Sequence, residues 1–423
     1  MPPPAPAADG AAHDTRELHA FVLGVGRALS LAGAAVSETQ ERLTRIAAAN
    51  GADDARIVVL PTALIVAFGP ARWATIEAIP QLAGALRLDQ ISALYEVVKE
   101  AERGAIEPGD GLRRMQAIRA MEPRHGRVAT VIGYAAMTVG LCLVLQPTLA
   151  DVAVAAGFGV LVGCIVLLAR GRPTLTVLVP VLAATVVSAL AFELVKHGVA
   201  DPGLRTLIAP LVTFLPGGVL TTATVELASG EMVAGASRLV FGTLQMLLLA
   251  FGIVAGAELA GLPGEDVLRD QHANLLGWWA PWLGVMVFGI AAALYFSAPH
   301  GALRWLLVVL LVAWLGQVVG DRLFGADVSG FFGALAMTPV ALLVARLPSG
   351  PPSQVTFLPA FWLLVPGAIG LIGVTEVIGN PAAAGLQDLV TPLASIVSIA
   401  LGVLCGVSLS RAALPSERRT PPR

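Results

Sequence analysis

The sequence predicts an α-helical integral membrane protein, in which a small N-terminal α/β soluble domain precedes ten transmembrane helices arranged as two inverted five-helix repeats. The chain of 423 residues is 56% hydrophobic and only 13% charged, which is more apolar than a soluble domain. Apolar runs of about 20 residues, long enough to cross a bilayer, recur after residue 127. A motif of proline, glycine and glutamate occurs twice within these runs.

The N-terminal region predicts a disordered tail at 1–14, rich in proline and alanine, and a cytoplasmic soluble domain at 15–122. One or two amphipathic helices are predicted before the stop signal Asn50-Gly51. "ARIVVLPTALIVAF" predicts a strand pair broken at Pro61. Helices are predicted near 89–103 and 110–121, the second with Asp110 as its N-cap. The first ten residues lack the features of a signal peptide, so the N-terminus is expected to stay inside.

The rest of the chain divides into ten apolar segments, which are predicted to be helices because isolated strands cannot satisfy their backbone groups in lipid. The segments lie at about 128–147, 149–169, 174–195, 204–228, 235–260, 273–297, 303–323, 327–345, 355–378 and 388–411. They form a first five-helix repeat at 128–260 and a second at 273–411, followed by a cytoplasmic tail at 412–423.

The distribution of basic residues supports ten spans with both termini inside the cytoplasmic membrane. Eleven arginines then face the cytoplasm, and only Lys196, Arg205, Arg269 and Arg322 face outward. Adding or removing one span would reverse this pattern in everything that follows it.

The repeated motif aligns "FLPGGVLTTATVELASG" at 214–230 with "LVPGAIGLIGVTEVIGN" at 364–380, at a constant offset of 150 residues. Each copy lies on the fourth span of its block. Because five is an odd number, the second block begins on the opposite side of the membrane, and the blocks are predicted to be inverted repeats. Secondary transporters use this construction, with broken helices near the bilayer midplane.

The motif has a chemical interpretation as a substrate pathway. The residues at the two predicted breaks are Pro216, Gly217, Gly218, Pro366 and Gly367. A broken helix would expose carbonyls and amides that hold a small zwitterion or anion, whereas the alternative is a simple kink. Hydroxyls follow the breaks at Thr221, Thr222, Thr224 and Thr375. They either line a polar path or bond back to their own helix.

Each motif ends in an acid, Glu226 or Glu376. Because buried acids in spans usually line cavities or carry protons, both are predicted to be proton or gating carboxylates. The alternative is that both are solvated at helix ends.

Gly252 and Gly256 indicate close helix packing. The three cysteines lie in apolar runs without metal-ligand spacing, which favours a packing role and predicts no bound metal.

These features together resemble the threonine/serine exporter family. The similarity rests on the Pro-Gly-x8-Glu span followed by "ASGEMVAGASRL", the membrane region in two halves, and the N-terminal segments "GRALSLAGAAVSETQERLTRIAAANG" and "VLPTALIVAF". It covers nearly the whole chain after residue 15. The family motif falls on Pro216, Gly217, Glu226, Pro366, Gly367 and Glu376.

The resemblance implies export of threonine and serine across the cytoplasmic membrane, driven by the proton gradient, with no cofactor. Similar two-component members, split after the fifth span, are associated with succinate-like dicarboxylates, whereas both parts are fused here. Relatives that carry aspartate at the position of Glu226 leave the fine substrate preference open.

Three alternatives are left open by the residues. The first is a dicarboxylate exporter, which the shortage of basic residues in the spans disfavours. The second is a membrane-anchored enzyme, although the soluble domain lacks a nucleophile elbow or a phosphate loop. The third is a passive channel. No basic cluster indicates nucleic-acid binding, and the oligomeric state is not predicted.

Overall fold

The computed structural model describes residues 7–68, 74–79, 86–145, 148–198, 204–261, 276–364 and 386–413. The chain divides into two compact units. An N-terminal unit contains residues 1–123 together with 226–237, and a membrane unit contains 124–225 and 238–423. Of the predicted pair Glu226 and Glu376, Glu226 belongs to the N-terminal unit, and position 376 lies outside the described residues.

The N-terminal unit combines helices with a three-stranded antiparallel sheet in the order β1-β2-β3. Its elements are α1 (Ala7–Leu31), α2 (Val36–Ala49), β1 (Arg56–Leu60), β2 (Ala63–Ala67), β3 (Thr75–Ala78), α3 (Leu88–Glu102) and α4 (Pro108–Ala120). The predicted strand pair is confirmed, with Leu60 opposite Ala63 across the turn at Pro61. The stop after α2 is also confirmed, because Asn50 caps the helix and Gly51 has φ +82°.

Three local features differ from the sequence predictions. Helix α1 begins at Ala7, inside the segment predicted to be a tail, because its alanines favour helix. The strand β3 was not predicted. Asp110 is not an N-cap; Glu107 caps α4, because Pro108 starts the helix at its first position and leaves Asp110 in the first turn, where it pairs with Arg113.

An ion-pair cluster joins α2 to α3. Arg42 donates to Glu38 at 3.0 Å and to Glu102 at 3.1 Å, and its guanidinium lies over the Tyr95 ring, 5.0 Å from the ring centroid. Burial alone would lower the pKa of Arg42, but Glu38, Tyr95 and Glu102 raise it above its usual value. The charge therefore persists in this partly buried position and links α2 to α3.

The regular elements of the membrane unit are all helices in the part that the structure describes. Its helices are α5 (Arg127–Val144), α6 (Leu149–Ala169), α7 (Pro173–Lys196), α8 (Leu204–Leu211), α9 (Gly217–Ala228), α10 (Met232–Leu259), α11 (Ala280–Tyr295), α12 (Ala302–Phe324), α13 (Ala326–Val344), α14 (Ser353–Leu363) and α15 (Leu386–Ala413). The end of α9 and the start of α10 belong to the N-terminal unit.

Six of the described helices are long and apolar enough to cross a membrane, and the count reaches seven when the bent pair α8 and α9 is one span. Two more apolar helices are shorter, Ala280–Tyr295 and Val328–Val344. The protein is therefore an integral membrane helical protein, and the count of ten stays a prediction. Of the three cysteines, Cys142 is buried, whereas Cys164 and Cys405 are exposed, so the packing role predicted for these two is wrong.

Helix α10 packs closely on α7 through Gly252 and Gly256, as predicted. A Cβ at Gly252 would lie 2.8 Å from both the Val181 carbonyl oxygen and the Ala184 Cβ. A Cβ at Gly256 would lie 2.6 Å from Ser188 Cβ. The missing side chains let the two backbones approach each other.

The same contact occurs again 150 residues later, between α15 and α13. A Cβ at Gly402 would meet the Phe331 carbonyl oxygen at 2.4 Å and Ala334 Cβ at 2.9 Å, and one at Gly406 would meet Thr338 Cβ at 2.7 Å. The partners Phe331, Ala334 and Thr338 are the offset counterparts of Val181, Ala184 and Ser188. Corresponding helices in the two blocks therefore pack through corresponding residues.

We expect Gly256→Leu and Gly406→Leu to destabilise the membrane unit to a similar extent, by about 1–3 kcal/mol each, because a side chain at either position separates two packed helices. The thermal midpoint of the detergent-purified protein would measure this loss. Gly157→Leu on α6 is the control, since a Cβ there meets nothing within 4 Å. Equal midpoints for all three variants would contradict the prediction.

A second close approach joins α5 to α11, the first helix of each predicted block. A Cβ at Gly140 would lie 2.4 Å from the Phe288 backbone nitrogen, and one at Gly284 would lie 2.6 Å from the Gly140 carbonyl oxygen. Backbone therefore packs against backbone at this crossing.

Candidate functional site

The first Pro-Gly motif interrupts a helix, as predicted, and does more than kink it. Helix α8 ends at Leu211, a 3₁₀ turn follows at Val212–Phe214, and α9 begins at Gly217. Leu215 between them is extended, with φ −68° and ψ 125°. The segments Leu207–Phe214 and Gly217–Ala228 meet at an angle of 52°. Pro216 and Gly217 are buried at this junction, and Gly218 is half-buried.

Carbonyls at this break are bound by side chains from other helices. The Tyr134 hydroxyl of α5 donates to the Pro210 carbonyl at 2.7 Å and lies 2.8 Å from the Thr213 hydroxyl. The Gln245 amide of α10 donates to the Phe214 carbonyl at 2.8 Å. These carbonyls, which the sequence interpretation offered to a substrate, are thus satisfied by the protein, as a lipid environment requires.

The second Pro-Gly motif lies mostly outside the described residues: positions 366, 367, 375 and 376 are not among them. The carbonyl of Leu364, just before this motif, is described. It accepts a hydrogen bond of 3.4 Å from the Gln317 amide of α12. Leu364 is the offset counterpart of Phe214, so the carbonyl two residues before each motif proline accepts from a glutamine.

The three hydroxyls of α9 have different environments. Thr224 donates to the Leu220 carbonyl at 3.0 Å, which confirms the local alternative for this residue. Thr221 is fully buried, and its hydroxyl has no hydrogen-bond partner among the described residues. Thr222 is half-buried. Only Thr221 therefore combines burial with an open hydroxyl.

Glu226 lies against the start of helix α2 within the N-terminal unit. Its side chain is 1% exposed, so the solvated alternative is wrong for this residue. The Val36 backbone N–H, in the first turn of α2, donates to Glu226 Oε1 at 3.1 Å across 190 residues of sequence. The N-cap residue Ala35 supplies no side-chain bond, so Glu226 places a carboxylate at the positive end of α2.

Polar residues of the N-terminal unit that could carry chemistry make local contacts. Ser30 donates to the Gly26 carbonyl of its own helix, and Asp89 is paired with Arg87 at 3.0 Å. A cleft of about 420 Å³ is lined by Glu17, Leu18, Asn50, Gly51, Ala52, Phe68, Glu107 and Pro108. Among the described residues, this lining offers carboxylates but no serine, cysteine, histidine or lysine, the other usual nucleophiles and general bases.

Sequence reasoning missed Tyr134, Gln245 and Gln317. Each is an isolated polar side chain inside an apolar span, as in "GTLQMLLLAF" for Gln245 and "WLGQVVGD" for Gln317. Such residues inside a membrane helix usually bond to another helix. The sequence therefore marks these residues as candidates for hydrogen bonds between helices, but it does not identify their acceptors.

The sequence matches the model of a family described as "Putative threonine/serine exporter" over residues 20–260, more than half of the chain. That range contains the first Pro-Gly motif, Glu226 and most of the N-terminal unit. No solved structure matches.

Fungal membrane proteins are also similar to this chain. Pheromone-regulated membrane protein 10 of Eremothecium gossypii is 23% identical over 92% of this chain and 54% of its own length. The proteins of the same name from Candida albicans strain WO-1 and Saccharomyces cerevisiae strain YJM789 are 23% and 25% identical, each over 84% of this chain and over 33% and 47% of their own lengths. The chain thus spans between a third and just over half of these relatives.

Proposed function

Because the chain belongs to the threonine/serine exporter family, we propose that it is a secondary active transporter that exports threonine and serine across the cytoplasmic membrane, coupled to the proton gradient. The family and the apolar helices support a membrane transporter. The identities of the two substrates and of the coupling ion are our proposal.

The interrupted helix at Pro216 is the observation that carries this proposal. Discontinuous helices mark the substrate site of many secondary transporters. Because the Pro210 and Phe214 carbonyls are bound by Tyr134 and Gln245, side chains are the groups left for a substrate. Two polar groups of α9 lie beyond the break: the open hydroxyl of Thr221 and, ten residues after Pro216, the Glu226 carboxylate. A pathway along α9 would lead from the break to the acid.

The repeated helix contacts support an alternating-access mechanism. The α7–α10 and α13–α15 pairs pack through residues at a constant offset of 150, which favours a duplicated architecture. We propose that the two blocks are inverted and that the second Pro-Gly motif, Pro366 and Gly367 with Thr375, completes the pathway. Glu226 and Glu376 would then be the gating or proton-carrying carboxylates at its two ends.

A small dicarboxylate such as succinate is the second candidate cargo. It would need fixed positive charges near the site. The described groups at the break are instead neutral, consisting of the Tyr134 and Thr221 hydroxyls and the Gln245 amide. This set favours a neutral zwitterion over a dianion.

Counterflow in proteoliposomes tests the cargo. Vesicles loaded with unlabelled threonine are expected to accumulate external labelled threonine, with competition by serine and none by succinate. Protein-free vesicles give the background. Competition by succinate but not by serine would show that the cargo is a dicarboxylate and not an amino acid.

Energy coupling needs a separate measurement. An imposed pH gradient is expected to drive threonine against its concentration gradient, and a protonophore is expected to abolish this uphill movement. A passive channel would give equilibration under both conditions. That result would remove the secondary-transport assignment while leaving the cargo unaffected.

A further inference from the structure

Helix α12 carries two buried polar atoms that the proposed pathway does not use. The indole nitrogen Nε1 of Trp314 is a donor, and the amide oxygen Oε1 of Gln317 is an acceptor. Both atoms are buried, and within the described parts of the chain neither has a hydrogen-bond partner. Because an unpaired buried polar group is costly, two of them on one helix indicate a ligand.

The two residues lie on the same face of α12. They are three residues apart on α12, and such positions share a helix face with Cβ atoms about 5–6 Å apart. This spacing allows one ligand group to bind both side chains. The Trp314 ring also packs edge-on against Trp282, with centroids 6.5 Å apart.

Gln317 connects this pair to the second Pro-Gly motif. Its amide nitrogen donates to the Leu364 carbonyl, which leaves the oxygen as the free end of the amide. Gly333 of α13 leaves space for the Leu364 side chain beside Gln317, because a Cβ at this position would lie 2.5 Å from Leu364 Cδ2 and 3.6 Å from Gln317 Cβ. The open acceptor of Gln317 therefore belongs to the same amide that binds the Leu364 carbonyl, two residues before position 366.

The chemistry of the pair selects its ligand. A carboxylate only accepts and an ammonium only donates, so neither group satisfies both atoms, whereas a hydroxyl does both. Helix α12 has no charged residue between Arg304 and Asp321 that would offset a buried ion. We propose that Trp314 and Gln317 form the subsite that binds the side-chain hydroxyl of threonine and serine. This inference rests on the proposed function, and it makes Trp314 and Gln317 the residues that determine the substrate specificity of the transporter.

The test compares threonine with L-2-aminobutyrate, which is threonine without its hydroxyl. A site built to hydrogen-bond a hydroxyl discriminates against the analogue that lacks it. The wild type is expected to prefer threonine in the ratio of kcat/KM values measured in proteoliposomes. Trp314→Phe and Gln317→Leu are each expected to reduce that preference about tenfold.

Trp305→Phe is the matched control on the same helix, because the Trp305 indole donates to the Ser349 carbonyl at 2.9 Å and is already paired. Its selectivity is expected to equal that of the wild type. Trp314→Phe keeps an aromatic ring against Trp282, so it decides the question if Gln317→Leu fails to fold.

Two results would overturn the proposal in distinguishable ways. If the wild type transports threonine and aminobutyrate equally, or if both variants keep the wild-type ratio, the pair does not recognise the hydroxyl, although the exporter function stands. If the wild type transports neither compound, the proposed function fails, and the subsite fails with it.

Discussion

Replacement of Glu226 by alanine is expected to destabilise the protein by about 1.5–3 kcal/mol, because the Val36 N–H loses a charged acceptor in a buried position. Glu226→Gln keeps an acceptor oxygen and is expected to retain most of this stability. Thermal unfolding of the full chain in detergent measures both effects. Glu258→Gln, on the exposed face of α10, is the control.

Transport separates the two roles of Glu226. If the carboxylate carries a proton or gates the pathway, Glu226→Gln slows threonine efflux from loaded vesicles and flattens its pH dependence, although the protein stays folded. Wild-type efflux and pH dependence in this variant would leave Glu226 as a helix cap alone. A wild-type melting midpoint in the Glu226→Ala variant would show that the bond between Glu226 and the Val36 N–H does not stabilise the protein.

Gly140→Leu is expected to give the largest loss of stability, about 3 kcal/mol or more, because its Cβ would lie 2.4 Å from the Phe288 nitrogen and 2.7 Å from its Cα. Backbone atoms cannot rotate away as a side chain does, so α5 and α11 must separate. The fraction of monodisperse protein after detergent extraction and the melting midpoint are the measurements.

Gly242→Ala is the matched comparison for this substitution. Its Cβ would also meet an atom at 2.6 Å, but that atom is Leu220 Cδ2, the end of a flexible side chain. We expect Gly242→Ala to extract normally and Gly140→Ala to lose stability. Equal stability of the two alanine variants would show that the α5–α11 contact relaxes easily.

The features that the sequence predicted correctly follow local rules. The turn at Pro61, the helix stop at Asn50-Gly51 and the interruption at Pro216 each depend on the backbone limits of proline or glycine. The close packing at Gly252 and Gly256 follows from side-chain size. The strand β3 was missed because four residues, "TIEA", carry too little alternation to distinguish a strand from a loop.

The contacts at the candidate site could not be predicted in the same way. The bond between Val36 and Glu226 joins residues 190 positions apart, and no periodic pattern encodes such a pairing. Gln245 and Gln317 could be singled out as polar residues in apolar helices, but their acceptors depend on how the helices pack. The sequence therefore predicted the interrupted helix, whereas the side chains that bind its carbonyls could be identified only from the tertiary structure.

The duplicated glycine contacts also indicate where motion during transport should be absent. Helices α7 and α10 are in van der Waals contact at Gly252 and Gly256, and α13 and α15 are in equivalent contact at Gly402 and Gly406. Closely packed interfaces rarely deform continuously, so each pair should move as one rigid body. Spin labels within a pair would then keep a constant distance through the transport cycle and provide an internal ruler for labels placed between pairs.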